Sequence, residues 1–168
     1  MARRIEHRSQ YAQAPDIVYS ALVDREYLRD RLAVLGGKSA AVLSHEATPE
    51  AASYRLRHGV DAKNLPSPVR AILPGDLTIE RAESWRKASD GAYQGTVHVT
   101  IPGMPGDLKG TLRLGAASGG SVMVVDGSVS VPIPLFGGKV EDSVGGHLIA
   151  LLEAEHEFTV KWLAEHSR

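Results

Sequence analysis

Residues 77–132 read LTIERAESWRKASDGAYQGTVHVTIPGMPGDLKGTLRLGAASGGSVMVVDGSVSVP, and this stretch decides the fold. It divides into strand-like runs at Leu77 to Lys87, Tyr93 to Ile101, Leu108 to Gly115 and Ser121 to Pro132. The separators are Asp90-Gly91, the run from Pro102 to Asp107, and Ser118-Gly119-Gly120. Each has the chemistry of a hairpin turn, with glycine supplying the positive φ that a tight turn needs. Consecutive strands joined this way form an antiparallel meander.

Directly downstream, residues 139–165 read KVEDSVGGHLIALLEAEHEFTVKWLAE. Val140, Val144, Leu148, Leu151, Leu152, Glu155, Phe158 and Trp162 recur at helical spacing, with no internal proline. The run predicts a helix of about seven turns. A helix with one apolar stripe must bury it against another layer, and the sheet is that layer.

Upstream, residues 3–12 alternate, with Ile5, His7, Ser9 and Tyr11 on one face. Pro15-Asp16 opens a helix, and a second runs from Asp24 to Leu35 and ends at Gly36-Gly37. Residues 38–47 and 52–60 predict two paired strands, the second placing Tyr54, Leu56, His58 and Val60 on one face. Residues 61–75 carry Pro66, Pro68 and Pro74, which exclude a central strand and leave a loop with one helical turn at Val69 to Leu73. The expected architecture is therefore α+β. A curved antiparallel seven-stranded sheet wraps a long C-terminal helix, with two short helices after the first strand. A chain of 168 residues is sized for one such domain, residues 1–168.

Composition narrows the function classes. Nineteen Lys and Arg against 20 Asp and Glu leave a formal charge of −1, without the positive field of a general nucleic-acid binder. No cysteine is present, so a disulfide scaffold, a thiolate zinc site and a cysteine nucleophile are excluded. Arg3-Arg4 is followed by polar residues rather than the apolar segment of a signal peptide, and no run suits a membrane span. A cytoplasmic location without stable membrane insertion is expected, and nothing calls for a cofactor or metal.

The order of elements resembles the START-like, or SRPBCC, superfamily, whose birch-pollen-allergen fold is called a helix grip. Finer details are similar to an uncharacterised actinobacterial branch: Arg4-Ile5-Glu6-His7, Pro15-Asp16-Ile17-Val18-Tyr19, the Trp85 strand, and Pro132-Ile133-Pro134 before Gly137-Gly138-Lys139. The resemblance implies a fold and a pocket for a small hydrophobic or amphipathic molecule, such as a lipid, isoprenoid or polyketide-like compound. It implies no catalytic residue, since the superfamily shares none. Curvature gives an independent reason to expect the pocket: a sheet curled around one helix encloses more volume than the helix fills.

Alternation then selects the candidate ligand-binding residues: His7, Tyr11, Tyr54, His58, Arg81, Trp85, Val97, Val99, Leu112, Leu148, Leu151 and Glu155. In the last strand the set Met123, Val125, Val129 and Val131 is expected to face inward in preference to Val122, Val124 and Asp126. Polar members of an inward face are the informative ones, because burying them unpaired costs roughly 2–7 kcal/mol. His7, His58, Arg81 and Glu83 either orient the polar end of a ligand or act as acid and base. Alternatively, Arg81 and Glu83 lie in solvent at a strand end and the histidines satisfy each other or the backbone. Glu155 either meets a buried partner or sits at the edge of its stripe and reaches water. A cyclase, aromatase or dehydratase would draw on His7, His58 and Glu155. A regulatory or chaperone-cofactor-like domain would instead have a filled core.

Several motif-like features fail on inspection. Gly37-Lys38-Ser39 imitates a phosphate-binding loop, but Leu32 stands where its first glycine must be. Glu153 and His156 have di-iron spacing without the further ligands that site needs. Met104 and Leu135-Phe136 are expected near the pocket mouth, as a portal or a point of transient membrane contact.

Overall fold

The computed structural model of the chain describes residues 2–65, 67–72, 75–135 and 137–166. The first alternating run is β1 (Arg3–Tyr11), with Ile5, Ser9 and Tyr11 buried and His7 half-buried between them. It leads into α1 (Pro15–Leu22) and α2 (Arg25–Leu35). Pro15 sits in the first turn of α1, where a missing N–H loses no helical bond. Asp24 caps α2 by accepting the Tyr27 backbone N–H at 3.1 Å. The remaining elements are β2 (Ala41–Ala47), β3 (Ala51–Val60), a 3-10 turn at Ala62–Asn64, α3 (Ser67–Arg70), β4 (Leu77–Lys87), β5 (Tyr93–Thr100), β6 (Asp107–Ala117), β7 (Gly120–Ser130) and α4 (Gly137–His166).

The short helix of the proline-rich segment starts earlier than the expected Val69, because Pro68 favours the first turn of a helix. Leu73, its expected end, lies outside the described residues. The meander turns form as their glycines require: Gly91 and Gly119 have φ of 87° and 80°.

All neighbouring strands are antiparallel, in the order β1-β7-β6-β5-β4-β3-β2. β1 and β2 thus lie at opposite edges although α1 and α2 alone separate them in sequence. Those helices carry the chain across, α1 against β6 and β7 and α2 against β2 and α4. α4 lies chiefly along β1 and touches β7, α2 and α3. A helix set over one edge of a curled sheet leaves the middle strands facing open space. The burial along α4 reflects this. Val140, Glu141, Thr159 and Leu163 near its two ends are buried, whereas Leu148, Leu151 and Leu152 between them are only half-buried.

Among the described residues the core falls into two clusters. One gathers Tyr19, Tyr27, Leu28, Tyr54, Leu56, Trp85, Tyr93 and Leu114 beneath α1 and α2. There Tyr19 stacks on Tyr93 at 4.0 Å, with the Trp85 ring edge-on to Tyr19. The other gathers Ile5, Leu65, Val69, Leu77, Val129, Val131 and Val140. In β7, Val125 and Val129 are buried and Met123 is half-buried facing in, as the sequence predicts; Asp126, on the other face, pairs with Arg4.

The connection into α4 is held by an internal carboxylate. Glu141, buried on the first turns of α4, accepts the Val131 backbone N–H at 2.8 Å. Glu141→Ala removes that acceptor and leaves a buried N–H unpaired, which costs about 1–3 kcal/mol. Urea denaturation should show that loss, with a smaller one for Glu141→Gln; an unchanged midpoint for the alanine variant contradicts this role.

Candidate functional site

Between α4 and the concave face of the sheet lies a cavity of about 240 Å3. Every residue selected from the sequence borders it: His7 and Tyr11 from β1, Tyr54 and His58 from β3, Arg81 and Trp85 from β4, Val97 and Val99 from β5, Leu112 from β6, and Leu148, Leu151 and Glu155 from α4. Most of the wall is aliphatic or aromatic. Met104 also borders it. Leu135 does not; it is 94% exposed, with φ of 70°. Phe136 lies outside the described residues.

The buried charged residues of the wall meet one another inside the protein. Arg81 donates to both oxygens of Glu155, from Nη1 at 2.8 Å and Nη2 at 3.1 Å. Its Nε donates to Glu83 on its own strand. The other Glu83 oxygen accepts from the Tyr54 hydroxyl at 2.7 Å, and the Trp85 indole N–H donates to that hydroxyl at 3.3 Å. Strand periodicity brings this set together: Arg81, Glu83 and Trp85 share one face of β4, and Tyr54 is the direct cross-strand partner of Glu83. Two of the alternatives left open by the sequence are thereby settled. Arg81 and Glu83 are not in solvent, and Glu155, 6% exposed, is not an edge carboxylate.

Arg31 of α2 completes the cluster and was not singled out by sequence reasoning. It is 4% exposed, and its Nε lies 3.7 Å from Glu155 Oε2, in ion-pair range but beyond a hydrogen bond. Its Nη1 approaches the Tyr27 hydroxyl at 3.4 Å, and that hydroxyl meets Thr159 Oγ1 at 2.6 Å. A signal was present: Tyr27, Leu28, Arg31 and Leu32 form one helical face, so Arg31 stands where an apolar residue is expected.

The ionisation states follow from this packing. Burial alone would raise the Glu155 pKa, but Arg31 and Arg81 outweigh it and hold the carboxyl at about 2. Burial would likewise lower the Arg81 pKa, and Glu155 and Glu83 reverse that, so the guanidinium stays charged. Tyr54 is pushed well up by burial and then by Glu83, and so remains a donor. Burial, reinforced by Arg81, lowers His58 to about 4. Its Nε2 has no hydrogen-bond partner among the described residues, and neither do Arg31 Nε and Nη2. The histidines therefore do not satisfy each other: His7 Nδ1 approaches Ser9 Oγ at 3.4 Å instead. Among the described residues no three His, Asp or Glu side chains converge as a metal site would need, and no helix is long and apolar enough to cross a membrane.

A curved antiparallel sheet gripping a C-terminal helix, with two short helices crossing between the sheet edges, is a helix-grip fold, the arrangement this chain shares with Ara h 8.0201 and norcoclaurine synthase. The family described as Protein of unknown function (DUF2505) matches residues 6–163, and the chain belongs to that family. Uncharacterized proteins of Mycobacterium tuberculosis (Rv0481c) and Mycobacterium bovis (Mb0491c) are each 28% identical over 180 aligned positions, covering 99% of either partner. Among solved structures, TTHA0849 from Thermus thermophilus aligns over 99% of this chain and 100% of its own, with TM-score 0.59 and 19% identity. Norcoclaurine synthase from Thalictrum flavum, in complex with dopamine and hydroxybenzaldehyde, aligns over 100% of this chain and 90% of its own, with TM-score 0.57 and 13% identity.

Two measurements probe the cluster. Arg81→Leu strands Glu83 and Glu155 without their shared cation, and breaking a buried pair from one side costs about 3–5 kcal/mol. A loss below about 1 kcal/mol in urea denaturation would mean that the pair is exposed in solution. The second concerns His58, whose folded pKa of about 4 lies below the ordinary 6.5. Between those values the unfolded chain binds the extra proton, so stability falls as pH drops from 6.5 towards 4 and is flat below. From pH 7 to pH 5 the loss from this group is about 2 kcal/mol. In His58→Gln the fall over that interval should shrink by that amount; superimposable profiles for the two proteins contradict the neutral, buried imidazole.

Proposed function

We propose that the protein binds a small, mainly apolar molecule with one polar end, carrying or sequestering it in the cytoplasm. The observation that carries this reading is an apolar cavity whose buried charges are gathered in a single cluster. Small-molecule sites have that character, with a mostly apolar wall and few polar groups that fix orientation. His7, Tyr11, Val97, Val99, Leu112, Leu148 and Leu151 supply wall area, while Tyr54, His58, Arg81 and Glu155, with Arg31, belong to the polar end. Trp85 and Tyr54 link the wall to the cluster.

The size of the space narrows the ligand. At about 240 Å3 it falls just under the roughly 300–1,000 Å3 of ordinary ligand pockets, so it suits one ring system or a short chain better than a two-chain lipid. The likeness to norcoclaurine synthase, which holds dopamine and hydroxybenzaldehyde, supports a ring-sized occupant in this fold. Binding fits the ionisation states better than proton transfer. A general base works best with a pKa near the operating pH, and Glu155 at about 2 and His58 at about 4 are both far too acidic. A purely interacting domain would have a filled core, and this one is open.

Titration with N-phenyl-1-naphthylamine, an uncharged fluorescent probe, tests the reading. Saturable, blue-shifted emission at one probe per chain is expected. Val99→Trp, which fills the cavity from β5, should weaken it at least about tenfold, or ~1.4 kcal/mol, with the circular dichroism spectrum retained. Absence of probe uptake, together with absence of any co-purifying small molecule in native mass spectra of protein from its own host, would overturn the proposal.

A further inference from the structure

The charges of the buried cluster on the cavity wall cancel. Arg31 and Arg81 face Glu83 and Glu155, two cations against two anions, with side chains at most 12% exposed. His58 adds no charge near neutral pH. Asp107 reaches the wall from β6, but His98 and Lys109 hold its carboxylate from outside. The cluster is nevertheless unsaturated, since Arg31 Nε and Nη2 and His58 Nε2 are buried without hydrogen-bond partners among the described residues. Arg31 and His58 both border the cavity. A guanidinium nitrogen only donates, whereas a neutral imidazole protonated on Nδ1 accepts at Nε2.

We propose that the polar end of the ligand is an uncharged oxygen, a hydroxyl or a carbonyl, seated between Arg31 and His58, and that carboxylates of equal size are discriminated against. The inference rests on the binding function proposed above. A hydroxyl answers both unsaturated groups, accepting from Arg31 and donating to His58. A ketone answers only Arg31. A carboxylate would give a balanced cluster a net negative charge next to Glu155. Its attraction to the two guanidinium groups is opposed by repulsion from the two carboxylates those groups already hold, so less remains to compensate the cost of stripping its water. An Arg without bound carboxylates would select acids. Here Glu83 and Glu155 already occupy that role.

Competition between decanol, decan-2-one and decanoate for the N-phenyl-1-naphthylamine site at pH 7.5 tests the inference on the unmodified protein. Decanol should displace the probe at a concentration at least about tenfold below decanoate, or ~1.4 kcal/mol, with the ketone between them. Glu155→Gln makes the cluster net positive and should shift the decanol-to-decanoate ratio at least about tenfold towards decanoate. Decanoate binding as well as decanol to the unmodified protein overturns the inference. So does an unchanged ratio in a Glu155→Gln protein that melts cooperatively; if that variant does not fold, the unmodified protein's ratio decides alone. A probe that binds but yields to none of the three also counts against an oxygen-headed ligand. A probe that never binds defeats the binding function itself and is distinct from these outcomes.

Discussion

Arg81 reaches from β4 into the space under α4 and holds Glu83 with one nitrogen and both oxygens of Glu155 with the other two. Its planar fork matches a carboxylate in two parallel bonds, a geometry that an ammonium group does not reproduce. These groups come from positions 74 residues apart, and their pairing fixes the separation of helix and sheet. Were the stripe of α4 wholly apolar, the helix would gain by sinking onto the strands until Leu148 and Leu151 were buried. The ion pair instead spans a gap of fixed length at one end, while Glu141 fixes the other end through the Val131 amide.

The cavity is the space left between those two fixed ends. Its apolar wall and its single charged cluster follow from different periodicities acting together. Alternation in β3 and β4 delivers Tyr54, Glu83 and Arg81 to the same face, and the turn spacing of α2 and α4 delivers Arg31 and Glu155 from above. Buried charges in such an arrangement contribute little net stability, because desolvation offsets most of their attraction. What they do contribute is position. They hold two guanidinium groups beside a neutral imidazole on the wall of a mostly apolar chamber.

Much of this was legible in the sequence, for reasons that can be named. Strand faces repeat every second residue, so the inward set of each strand could be read without knowing its partners; most of those residues border the cavity, while others such as Leu56 are packed into the core. The hairpin glycines marked the meander, and the stripe from Val140 to Trp162 marked the helix. What the sequence left undecided was whether Arg81, Glu83 and Glu155 were buried. A charged residue on an inward face is tolerated only if a counter-charge from another element meets it, and local periodicity carries no information about that element. Arg31 was passed over for a related reason: among Arg25, Glu26, Arg29 and Asp30 it reads as one more solvated charge, and only its place beside Tyr27, Leu28 and Leu32 sets it apart. The size of the cavity was equally out of reach, since it depends on how far the sheet curls.

The central claim is that the cluster under α4 is the polar end of a ligand site, and the arginine side chains themselves report on it most directly. Buried guanidinium groups held by carboxylates should give resolved, slowly exchanging Nε–Hε signals in a 15N-labelled sample. On addition of decanol the Arg31 signal should move as its free Nε and Nη2 gain an acceptor, and the Arg81 signal should move less, because its bonds to Glu83 and Glu155 are already made. Saturating ligand that leaves both signals in place, with shifts confined to surface loops, would contradict the account.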